Sequence, residues 1–167
     1  MKKNILYITL IFALCFGIKV QAQNIIDYQA KLNSLSNVEA NQLENLINGV
    51  PTSMHVNYDG ETKIHIGNSD LVLEMAVRTS EDITKLAVAF DKELAEVIVL
   101  NIEWNGQNDI EIAADVLTKM KHLRYVYIKS YETLSDTVIQ AKLQRLLLTL
   151  NQKENVEVLY TTMIEPS

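Results

Sequence analysis

Apolar and polar residues alternate along this chain with two different periods, and the period changes mark its elements. Leu43, Leu46 and Ile47 recur at helical spacing. Ser36-Asn37-Val38-Glu39 precedes them as a capping box, in which the serine side chain takes one orphan amide and the glutamate reaches back. Gly49 and Pro51 follow as stop signals, so the pattern predicts a helix over about 37–48. Ile25, Tyr28, Leu32 and Leu35 predict an earlier helix within 24–35.

The period then drops to two. Met54, Val56 and Tyr58 alternate with polar residues, as do Thr62, Ile64 and Ile66 after Asp59-Gly60. A two-residue turn would set apolar side chains opposite polar ones. A three-residue loop, Tyr58-Asp59-Gly60, pairs Met54 with Ile64 and Val56 with Thr62, and puts glycine at the left-handed position. Leu71, Leu73, Met75 and Val77 predict another strand. Strand and helix patterns alternate from there. Ser80 is expected to cap a helix with Ile83, Leu86, Ala87 and Phe90. Val97–Trp104 reads as a strand, Asp109 opens a helix, and Tyr125–Ser130 reads as a strand. Ser135 caps a helix running to Leu150, and Val156–Ile164 reads as the last strand. Connections of this length join parallel strands. The expected class is α/β. A helix and hairpin over 37–68 precede strand–helix repeats over 70–164, all within one domain of residues 23–167.

The strands also repeat in text. Leu94-x-x-Val97-x-Val99 answers Leu123-x-x-Val126-x-Ile128, and Val156-x-Val158 continues the series at steps of 29 and 30 residues. This resembles the ribonuclease-inhibitor type of leucine-rich repeat, in which stacked strand–helix units bury faces that one unit alone leaves open. The asparagines typical of that family would fall near Ile102 and Tyr131. A small open parallel sheet explains the same period. In this alignment Val97, Val99, Val126, Ile128, Val156 and Val158 face the helices. Ile98, Leu100, Ile102 and Trp104 then share the outward face with Tyr125, Tyr127, Lys129 and Tyr131. The resemblance implies that this outward face is the binding side. Trp104, Tyr125, Tyr127, Lys129 and Tyr131 are therefore the expected partner-binding residues, aromatic side chains being suited to a protein partner.

Composition changes the picture at the N-terminus. Lys2 and Lys3 precede an apolar run, Ile5–Ile18, of 14 residues, followed by Val20-Gln21-Ala22. Such a run is shorter than the ~20 residues that span a bilayer, and its flanks read as a secretory signal cleaved after residue 22. The expected location is periplasmic or extracellular. Lys2, Lys3 and Lys19 leave with that segment, so a whole-chain charge of −6 becomes −9. An acidic balance disfavours nucleic acid and anionic membranes as partners. The single cysteine, Cys15, leaves too, which removes disulfides, thiol nucleophiles and thiolate metal sites from the mature chain.

Candidate chemistry is sparse. His55 and His65 sit one diagonal step apart on the polar face of the hairpin, but Lys63 opposes His55 and no third ligand is evident. Asn101-x-Glu103-x-Asn105-Gly106-Gln107-x-Asp109 begins like a calcium loop and lacks the closing glutamate, Ile112 standing there. It reads better as a strand-to-helix turn. No serine lies in a nucleophile motif, and the paired acids lie on helix starts and loops. No cofactor or metal is expected. The residues point to a non-enzymatic interaction module. The alternatives are a small hydrolase or metal-dependent enzyme working at the strand ends near Glu103 and Asn105, and a structural envelope protein.

Overall fold

The computed structural model describes residues 24–164, and the expected signal segment 1–22 lies outside them. The strands are β1 Asn24–Asp27, β2 Ser53–Val56, β3 Thr62–His65, β4 Glu74–Val77, β5 Val99–Glu103, β6 Tyr125–Ser130 and β7 Glu157–Thr162. The helices are α1 Tyr28–Ser34, α2 Asn37–Ile47, α3 Ser80–Ala89, α4 Ala114–Lys119, α5 Asp136–Lys142 and α6 Gln144–Leu150, with a 3-10 turn at Glu93–Glu96. One seven-stranded sheet runs in the order β1-β7-β6-β5-β4-β2-β3. Every pair in it is parallel except the β2–β3 hairpin at one edge. The chain is thus α/β.

The strand order explains how the faces are covered. From β2 through β4, β5 and β6 to β7 the chain steps steadily across the sheet, so right-handed crossovers drop their helices on one side. Ile83 and Leu86 of α3, Val116 and Leu117 of α4, Ile139 of α5, and Leu146 and Leu150 of α6 pack there. They meet Met54, Met75, Leu100, Ile102, Val126, Ile128 and Val158 of the strands, and this is the main core. The connection from β1 to β2 crosses the sheet in the opposite sense, and a right-handed path in that direction lies over the other face. There Tyr28 of α1 and Leu43 and Ile47 of α2 bury Val99, Tyr127 and Leu159. Lys31 of α1 pairs with Glu157 of β7 at 2.7 Å and pins this cover to the sheet.

Local chemistry accounts for most element boundaries. The hairpin has the expected register, with Met54 opposite Ile64 and Val56 opposite Thr62. Gly60 takes the left-handed backbone, at φ +86°, that its loop demands. Ser36 and Glu39 form the capping box of α2, and Ser135 caps α5. Other boundaries differ from expectation: the strand expected from Leu71 starts only at Glu74, and those expected at Val97–Trp104 and Val156–Ile164 are shorter. Residues 24–27 are a strand because β7 offers them its free edge, and the helix begins only at Tyr28, capped by Asp27. Thr79, not Ser80, caps α3, in a box with Asp82. The hydroxyl of Ser80 instead accepts from the Glu111 amide at 2.8 Å, in a stretch expected to be helix from Asp109 that becomes helical only at Ala114. The long helix after Ser135 breaks at Leu143 into α5 and α6.

The register also corrects the face assignment on β5. Leu100 lies beside Val126 and Ile102 beside Ile128, while Val126 lies beside Val158. The structural steps are therefore 26 and 32 residues, not the 29 and 30 of the textual repeat. An odd offset replaced by an even one turns every β5 side chain over. Leu100, Ile102 and Trp104 belong to the helix side, and Val99, Asn101 and Glu103 to the other.

Candidate functional site

Three rows of side chains cross the face that carries α1 and α2. The lowest contains Ser53, Glu74, Val99, Tyr125 and Glu157. The middle row contains His55, Ala76, Asn101, Tyr127 and Leu159. In the upper row Glu103 and Lys129 are neighbours, and Arg78 stands just beyond the end of β4, two residues after Ala76. The two helices cover Val99, Tyr125, Tyr127 and Leu159. They leave the carboxyl ends of β2, β4, β5 and β6 open. A cavity of about 330 Å³ lies there, lined by His55, Asn57, Tyr58, Ala76, Arg78, Asn101, Glu103 and Lys129 among others.

The cavity exists because of side-chain size. Ala76 is the smallest member of its row and stands between His55 and Asn101, so the floor dips there. Its walls are polar and held in place. Arg78 donates from Nη2 to the Val56 carbonyl at 2.7 Å, and its guanidinium lies 4.5 Å from the centre of the exposed Tyr58 ring. His55 Nε2 shares a hydrogen bond of 3.0 Å with Asn57 Oδ1.

Asn101 is the least ordinary member. It is 9% exposed, and its Nδ2 donates to Glu74 Oε1 at 2.5 Å. Its Oδ1 is buried and has no hydrogen-bond partner among the described residues. A buried carbonyl oxygen left without a donor costs about 1–3 kcal/mol, and native folds rarely tolerate it without reason. Glu74, beneath it, is also buried. Burial raises its carboxyl above the usual range, against the opposing pull of the Asn101 amide and of the Lys129 and His55 charges. Lys129, Glu103 and Arg78 make no ion pair among the described residues.

The residues expected from sequence to bind a partner are dispersed. Lys129 lines the cavity. Tyr127 is buried beneath α1, its ring 5.3 Å from that of Tyr28. Burial raises its hydroxyl pKa. Tyr125 is half-buried against the same helices. Trp104, expected beside them, is 3% exposed and on the opposite side of the sheet. Its indole Nε1 donates to the Asn108 carbonyl at 2.7 Å, and Lys142 caps the ring at 5.4 Å. Tyr131 is exposed just beyond the end of β6. The common aromatic plane is therefore not formed.

Of the residues the structure does gather, Ala76, Arg78, Asn101 and Glu103, the last two carried a signal in the sequence. Leu100-Asn101-Ile102-Glu103-Trp104 alternates apolar and polar, which assigns Asn101 and Glu103 to the wetter face. Asn105 has the turn role expected of it. Its Oδ1 accepts from the Gln107 and Asn108 amides at 3.0 and 3.1 Å, while Gly106 is left-handed at φ +78°. His55 and His65 join no group of three or more metal-type ligands among the described residues. No helix among them is long and apolar enough to cross a membrane. Comparison with known proteins finds no matching family model, curated protein or solved structure.

Proposed function

We propose that the chain is an exported, non-enzymatic binding module that holds its ligand in the open half of the outward sheet face. One observation carries the reading. A face sealed by α1 and α2 over part of its width is left open where its side chains are polar, and a buried Asn101 Oδ1 there still lacks a donor. Parallel sheets accept ligands at the carboxyl ends of their strands, where this cavity lies. Its volume of about 330 Å³ is near the lower end of the range for small-molecule sites. The lining contains no serine, threonine or cysteine, which favours binding over nucleophilic catalysis.

The test is amide chemical-shift mapping of the purified, isotope-labelled protein against a small-molecule extract of its native cell envelope. Shifts confined to Ala76, Asn101, Glu103 and Lys129, with extract components unchanged on prolonged incubation, support the proposal. Conversion of any component would favour the hydrolase alternative. Shifts grouped around Tyr131 or the α3 surface would move the site elsewhere.

A further inference from the structure

We infer that the cavity selects a small zwitterion of amino-acid type, an ammonium and a carboxylate a few bonds apart. This rests on the open-face reading above and adds the chemistry of the occupant. The upper row presents Glu103 and Lys129 as partners on β5 and β6, and Arg78, just beyond the end of β4, lines the same cavity. Neighbouring strands lie roughly 4.8 Å apart, so a positive and a negative site stand side by side at the spacing of one small molecule. None of the three is neutralised by an ion pair among the described residues. A ligand of single charge would leave one sign of charge wholly unanswered, whereas a zwitterion leaves only one of the two cations to solvent. A zwitterion answers both signs.

Asn101 decides which end of the ligand goes where. Its free Oδ1 accepts and cannot donate, and it sits two residues before Glu103 on the same face of β5. A primary ammonium has three N–H groups to give. One reaches Asn101 Oδ1 once a turn of that side chain uncovers the buried oxygen, a second reaches the Glu103 carboxylate, and the third remains for water or Tyr58. The carboxylate then turns to Lys129 Nζ or to the guanidinium of Arg78, whose position is fixed by Val56 and Tyr58. Ala76 gives room for the substituent between them.

The experiment is a calorimetric and chemical-shift titration of the purified protein with the twenty common amino acids. The tightest binder is then followed as its N-acetyl form, its methyl ester and its N-trimethyl form. The N-trimethyl form keeps the charge and loses every N–H. At least one amino acid is expected to bind with shifts at Ala76, Asn101 and Lys129, and each derivative to bind about tenfold more weakly or worse. Glu103→Gln should weaken the parent about tenfold, as should one of Lys129→Gln and Arg78→Gln, whichever removes the partner of the carboxylate, with an unchanged melting temperature showing that the fold is intact. An N-trimethyl or N-acetyl form that binds as well as its parent overturns the inference, as does the absence of any binding amino acid. If the envelope extract still shifts the cavity amides in that case, the binding-module reading survives and only the zwitterion is lost.

Discussion

Ala76 and Asn101 show how two side chains define a site. The alanine leaves space, and the asparagine beside it carries a buried acceptor without a donor among the described residues. Ala76→Leu should fill the floor and abolish the amide shifts produced by any ligand. Because Ala76 is only part-buried and lines the cavity, the melting temperature should stay within a few degrees, and scanning calorimetry checks this. Glu74 is the complementary case. Its raised pKa means that the folded state holds a proton more tightly than the unfolded chain. Stability from this group is therefore fully present below the ordinary carboxylate range and lost as pH rises through the folded value. Glu74→Gln keeps an acceptor for Asn101 and removes the ionisation. It should be more stable than the parent at pH 8, with the difference shrinking as pH falls towards 4, as measured by urea denaturation. At this scale the sequence was legible in part. Asn101 and Glu103, read from sequence as the start of a calcium-like loop, are polar interruptions of an apolar strand, whereas the burial of Glu74 depends on a neighbour, Asn101, that sequence distance hides.

Elements were legible where their signals are local. The Ser36–Glu39 box and the Gly60 turn are both written within a few residues, and both form. Ser36→Ala removes one of these signals and should cost about 1 kcal/mol in chemical denaturation. It should also loosen α2 over Val99, seen as faster amide exchange there. β1 was not legible, because Asn24-Ile25-Ile26-Asp27 does not alternate and the strand is defined by the edge of β7. Its successor α1 is held through Tyr28, whose hydroxyl accepts from Asn48 Nδ2 at 3.1 Å. Burial, aided by Tyr127 and Glu44, pushes that hydroxyl from 10.0 up to about 12. The stabilisation is then complete below pH 10 and lost as pH climbs from about 10 to about 12. Denaturation curves at pH 8 and pH 11 should show this loss. Tyr28→Phe should be less stable at pH 8, for want of the Asn48 bond, yet lose less between the two.

At the scale of the whole molecule, strand–helix alternation was enough to assign an α/β class, and most of the parallel order follows from it. The faces were harder. A textual repeat of 29 residues and a structural step of 26 differ by an odd number, and in a pleated sheet that difference inverts a strand. The helices between strands vary in length, so similar text need not mean similar height in the sheet. Trp104 is the clearest product of this: it was expected outside and lies in the core. The opposed winding of the first crossover is what leaves a cavity, because α1 and α2 cross the outward face without filling its width.

The pairing of β1 with β7 has a consequence for synthesis. The first strand of the sheet and its one neighbour among the described residues are at opposite ends of the chain order. A polypeptide delivered amino-end first, through a ribosome or a translocation channel, exposes β1 long before its partner exists. Until then α1 and α2 have no completed surface to settle on, since Leu159 of β7 is part of it. Closure of this edge is therefore expected as the last and slowest event in refolding, and holding the nascent amino end soluble in the meantime becomes a task for the cell.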